Sequence, residues 1–144
     1  MDSDREAIRG VGTGFEQDIL LYERALSGVT SIVPRVVAEV KFGNVTTHDA
    51  ITYSNKARRV RTVYPYVRYG LILGALANIP GRVLRLGEEF DFVVVVSAHC
   101  EPEELQQLSA LFQHELQSSR DLGKILSGQK KVTGLFKRLD LRFV

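Results

Sequence analysis

The chain is short of the devices that mark several functional classes. It has one cysteine, Cys100, so no disulfide can form within it, and a reducing, cytoplasmic setting is the expectation. No Cys/His array with zinc-ligand spacing occurs. The longest apolar run, around residues 92–96, falls far below the ~20 residues that span a bilayer, so no membrane partner is expected. The first residues lack a basic start followed by an apolar stretch and do not read as a signal peptide. Excess charge is small: a net charge of +2 points only weakly to nucleic acid. There is no internal repeat and no low-complexity tract.

What is present suits one folded domain over residues 1–144. A composition 44% hydrophobic and 25% charged can bury a core. The charge is unevenly spread. Lys56, Arg58, Arg59, Arg61 and Arg68 crowd into one stretch, and Lys124, Lys130, Lys131, Lys137, Arg138 and Arg142 make the C-terminal end basic. Acidic residues gather at 88–91 and 101–104. Local basic patches are the footprint of phosphate contacts; solvated helix faces are the alternative.

The periodicity predicts an order α-β-β-α-β-β-α with a tail. Ser3 and Glu6 fit a capping box for a short helix over 3–8. A glycine run, Gly10, Gly12 and Gly14, breaks it; lacking the Lys-Ser/Thr of a nucleotide loop, it reads as a turn. Strands over 15–23 and 35–42 make a long hairpin. A helix capped by Thr46 or Thr47 follows, with Tyr53, Ala57, Val60 and Tyr64 as its apolar stripe and Pro65 as its stop. A strand over 69–76 leads to a loop over 78–87, turned at Pro80 and Gly81. The consecutive valines within 90–97 read as a strand buried on both faces. A long helix over 101–127 buries Leu105, Leu108, Phe112 and Leu116. The tail over 135–144 fits an edge strand or a short helix. Helices interleaved with strands give an α/β fold, a mixed central sheet flanked by helices.

The chemistry concentrates on the second strand. Side chains alternate with period two, so Arg35, Val37, Glu39 and Lys41 share one face, while Val36, Ala38, Val40 and Phe42 bury on the other. Glu39 and Lys41 stand roughly 6–7 Å apart along the strand, which Gly43 and Asn44 close. On the first strand Asp18 lies beside Ile19, Leu20 and Leu21, where an unpaired carboxylate is costly unless a cation meets it. Two carboxylates and a lysine around a divalent ion are a set able to cleave a phosphodiester. A surface ion pair is the alternative for Glu39 and Lys41, and a strand-edge acid for Asp18.

Asp18 on one strand, Glu39 and Lys41 at the end of the next, then a helix and further strands, resemble the PD-(D/E)xK nuclease superfamily. The resemblance runs over about residues 15–98. It implies a restriction-endonuclease-like core and an endonuclease that hydrolyses DNA with Mg²⁺ or Mn²⁺. By that resemblance Asp18 and Glu39 bind the metal with the Val40 carbonyl as a further ligand, and Lys41 orients or helps deprotonate the attacking water. Lys56, Arg58, Arg59 and Arg61 would then hold DNA phosphates. Gln17 stands where the superfamily has its proline, and Glu6 is the only glutamate of the first helix, which leaves the third acidic ligand unassigned.

Among the other polar residues, Glu16 shares the face of Asp18 as a possible further acid, and His48 with Asp49 opens the helix after the motif. His99, Cys100 and Glu101 read as a loop and a helix cap. Tyr53, Tyr64, Tyr66 and Tyr69 can stack bases, though Tyr53 and Tyr64 have core spacing. Cutting both DNA strands calls for two sites, hence a homodimer or a larger host protein. The competing reading is a non-catalytic nucleic-acid-binding or assembly domain on the same fold.

Overall fold

Extended backbone rich in valine leads into the first helix through Gly43, whose φ of 73° is the left-handed conformation glycine tolerates. The computed structural model describes residues 17–25 and 31–144. Its elements run β1 (Ile19–Arg24), β2 (Ile32–Phe42), α1 (Thr47–Val63), β3 (Arg68–Gly74), α2 (Gly81–Leu86), β4 (Phe92–Val96) and α3 (Pro102–Leu126). The short helix over 3–8, the glycine run and Glu16 lie outside the described residues.

The strands form one mixed sheet in chain order: β1 pairs antiparallel with β2, and β2, β3 and β4 run parallel. The fold is therefore α/β, a mixed sheet with helices on both faces. On one face Val36, Ala38, Ile72, Phe92 and Val96 pack under Leu108, Leu111, Phe112 and Leu116 of α3. On the other, Val37 and Tyr69 meet Ala57 of α1, while Leu71 and Leu73 meet Ala50 of α1 and Val83 of α2. The alternation read from β2 thus sends Val36, Ala38 and Val40 toward α3, and Val37 toward α1.

The structure departs from the sequence reading where local signals met tertiary demands. The stretch expected as a loop contains the helix α2, because Pro80 starts a turn that continues to Leu86 and buries Val83. Phe42, expected in the core, is 61% exposed: it is the last residue of β2, and its ring lies against Gly74 at the end of β3. Leu105 is likewise 60% exposed, and the covered stripe of α3 continues instead to Glu115 and Ser119. Tyr64, at the α1 C-cap, is exposed. The valine strand β4 is an edge strand, yet its residues still pack to both faces. Beyond Ser127 the chain forms neither strand nor helix.

A bulge shapes the hairpin. Leu21 pairs with Val36 and Tyr22 with Pro34, so Arg35 is the extra residue. Proline cannot donate to a ladder, and a bulge accommodates it. The bulge breaks strict alternation at Arg35. Instead of standing beside Glu39, Arg35 bonds Glu23 at 3.0 Å and the Ser119 carbonyl of α3 at 3.4 Å. Among the described residues no helix is long and apolar enough to cross a membrane.

Candidate active site

The β1–β2 register brings Asp18 to the backbone beside Glu39. Ile19, the first residue of β1, lies opposite Ala38, and Asp18 comes just before it. Asp18 Oδ2 accepts the Val40 N–H at 2.8 Å. That bond fixes the Asp18 carboxylate against the backbone of the residue between Glu39 and Lys41.

Glu39 is 2% exposed. Its Oε1 accepts the Tyr69 hydroxyl at 2.5 Å and meets Lys56 Nζ at 2.7 Å. A buried carboxylate needs such partners, since leaving it bare would cost several kcal/mol. Burial raises the Tyr69 hydroxyl far above its ordinary value; its bond to Glu39 and the charges of Glu39 and Asp18 add to this. The Tyr53 hydroxyl is raised too, first by burial and then by Glu39, Asp49 and Asp18. Both acids thus act on the same pair of phenols, on the α1 side of the sheet.

Lys41 lies two residues beyond Glu39 and meets Asp49 Oδ2 at 3.5 Å. Asp49 completes a capping box with Thr46, the helix N-cap: Thr46 N donates to Asp49 Oδ2 at 2.8 Å, and Asp49 N donates to Thr46 Oγ1 at 3.0 Å. The Thr46 amide and hydroxyl hold the Asp49 carboxyl below its usual range against slight burial, with help from Lys41. The Lys41 side chain keeps 33% of its surface in solvent.

The four cations assigned to phosphate have different surroundings. Lys56 is turned inward onto Glu39. Arg61 spans to Glu89 Oε2 at 2.8 Å and Asp91 Oδ2 at 3.0 Å. Arg58 and Arg59 are exposed on α1, and Arg58 borders a cleft of about 180 Å³ with Asn55, Arg85 and Glu88. Arg68 meets Asp91 Oδ1 at 3.1 Å and the buried Glu115 at 2.6 Å, tying β3 to α3. Burial raises the Asp91 carboxyl, against the Tyr69 N–H bond and its two arginines.

Sequence reasoning missed Tyr69 and Asp49 as members of the site and gave Lys56 another task. A signal existed for each. A tyrosine on a buried strand needs an acceptor for its hydroxyl, an acid three residues after a threonine N-cap can close a capping box, and a lysine flanking a buried helix stripe needs a carboxylate. His48, near the start of α1, lies 3.4 Å from Thr52 Oγ1, one turn along the exposed surface.

The donor set is one that Mg²⁺ accepts. The ion binds through one or two carboxylates, with waters and substrate phosphate completing an octahedron, and Asp18 and Glu39 are hard-oxygen donors on one face. Among the described residues no group of three or more His, Cys, Asp or Glu is arranged to hold a metal, so Asp49 does not complete a third acidic ligand. A larger cavity of about 420 Å³ lies near the other end of β2, lined by Glu23, Arg35, Tyr66, Arg120 and Lys124 among others. There Glu23 is shared by Arg35 and Arg120; burial opposes ionisation, but the two arginines prevail and keep its carboxyl below the usual range. No family model, curated protein or solved structure matches this chain.

Proposed function

We propose that this chain is a metal-dependent endonuclease of the PD-(D/E)xK kind, hydrolysing DNA phosphodiester bonds with Mg²⁺ or Mn²⁺. The observation that carries the reading is the Asp18 carboxylate held on the Val40 N–H, between Glu39 and Lys41 of β2. A mixed sheet with an antiparallel hairpin, then a helix and a parallel strand, agrees with it.

In this reading Asp18 and Glu39 hold the metal, with the Val40 carbonyl as a further donor. When bound, the ion polarises the phosphoryl group and lowers the pKa of a coordinated water. Lys41 orients that water and sets a positive charge where negative charge develops. The Val40 N–H positions Asp18, and Tyr69 positions Glu39. Arg58 and Arg59 meet the DNA backbone, which aligns the duplex without reading sequence. A second copy, or a larger host protein, supplies the second cut.

A second reading is a binding or assembly domain without catalysis. It draws on the ion pairs Lys56–Glu39 and Lys41–Asp49, which already neutralise these acids. Plasmid nicking separates the two. The nuclease reading expects Mg²⁺-dependent nicking by the wild type, reduced at least ~10²-fold in Lys41→Ala. No nicking with any divalent ion, or full nicking by Lys41→Ala, contradicts it.

A further inference from the structure

The Glu39 carboxylate is enclosed and already has a cationic partner. Lys56 Nζ lies 2.7 Å from Oε1, with only 15% of the lysine side chain and 3% of the glutamate side chain exposed. Tyr69 donates to the same oxygen. Lys56 belongs to α1, whereas Glu39 and Tyr69 lie on adjacent strands, so the ammonium ties the helix to the sheet at the point where Asp18 also arrives. A buried carboxylate cannot be left without a counter-charge, and an ammonium and a divalent cation at one carboxylate repel each other.

Resting on the nuclease reading, we propose that Lys56 is a placeholder for the divalent cation: it neutralises Glu39 in the metal-free protein and gives up that carboxylate when the metal binds. The fold then carries a full set of counter-charges in both states. Metal affinity is set partly by the ion pair that has to open. The lysine that leaves Glu39 stays on α1 beside the two acids, where its ammonium can meet a substrate phosphate. The phosphate role read from the sequence and the inward pairing seen in the structure are then two positions of one side chain. Tyr69 carries no charge and has no such conflict, so it keeps its bond to Glu39 in both states.

Coupling of this kind is reciprocal: if the metal displaces Lys56, removing Lys56 strengthens metal binding. The experiment is Mn²⁺ titration by calorimetry, with thermal unfolding measured with and without Mn²⁺, on the full chain. Lys56→Met is expected to bind Mn²⁺ about tenfold more tightly than the wild type. It should also melt lower without metal and gain more from Mn²⁺ than the wild type gains. Lys56→Arg, which keeps the charge and holds a carboxylate more firmly, is expected to bind Mn²⁺ several-fold more weakly. It serves also if the methionine variant does not fold. Equal or weaker binding by a folded Lys56→Met, or equal or tighter binding by Lys56→Arg, overturns the proposal. The wild-type titration tests the nuclease reading separately. Binding that is lost in Asp18→Ala but indifferent to Lys56 leaves that reading standing and removes only the placeholder.

Discussion

Tyr69 donates its hydroxyl to Glu39 Oε1 at 2.5 Å from the neighbouring parallel strand. The bond crosses the interior on the α1 side of the sheet, and both partners are buried. It gives the candidate metal ligand a fixed direction, and it gives the tyrosine a strong reason to stay protonated.

The sign of the resulting pH dependence follows. In the unfolded chain Tyr69 loses its proton near pH 10, whereas in the fold the proton is held well above that. The folded state therefore retains a proton that the unfolded state has released, and stability falls as pH rises past about 10. Denaturant melts between pH 8 and pH 11 are expected to show that decline, and Tyr69→Phe should flatten it. The same variant should cost about 1–3 kcal/mol at neutral pH, because Glu39 loses a buried donor. An equally steep alkaline decline in Tyr69→Phe would contradict the assignment.

The acid side is tested at the start of α1. Asp49 is held below its ordinary value by the Thr46 cap. Its contribution is therefore present above the unfolded value of about 4 and lost as pH falls through the lowered one. Thr46→Ala is expected to cost about 1 kcal/mol at neutral pH. Asp49→Asn should lose less stability than the wild type between neutral pH and pH 3, as read by thermal unfolding.

Arg58 and Arg61 should part company although the sequence gives them one role. Arg61 is committed to Glu89 and Asp91, so Arg61→Ala should destabilise the fold by about 1–3 kcal/mol. Arg58→Ala should leave the melting curve unchanged. It should instead weaken DNA binding uniformly across sequences and reduce the salt slope by about 1. Fluorescence anisotropy over a salt series, beside chemical denaturation, reads both effects.

Gly70 tests the packing. A Cβ built there would lie 2.1 Å from the Phe92 ring, so the aromatic of β4 rests directly on the glycine of β3. Gly70→Ala is expected to cost about 1–3 kcal/mol through overpacking. Gly70→Ala combined with Phe92→Leu should recover part of that loss in the same denaturation assay.

The contrast between Val37 and Arg35 explains what the sequence could tell. From Val36 onward the two-residue period holds: it sets Val37 and Glu39 on the face opposite Val36 and Ala38, and in the fold Val37 and Glu39 meet α1 while Val36 and Ala38 meet α3. At Arg35 it fails, because the bulge at Pro34 is set by pairing with another strand. A threonine cap at Thr46 or Thr47 and the stop at Pro65 were legible because both are local, and the structure picks Thr46. The ion pairs of Lys56 and Arg61 were hidden for the opposite reason: a lysine and an arginine on a helix look solvated until the acids that face them, Glu39 on β2 and Asp91 before β4, are in place. The helix α2 was hidden in a glycine- and proline-bearing stretch whose only buried anchor is Val83.

The central claim is that Asp18 and Glu39 share a divalent cation. Anomalous scattering from a crystal soaked in Mn²⁺ tests it most directly. The account predicts one peak bonded at about 2.0–2.2 Å to carboxylate oxygens of both residues, with Lys56 withdrawn from Glu39. A crystal saturated with Mn²⁺ that shows no density between them, with Lys56 still on Glu39, would contradict it.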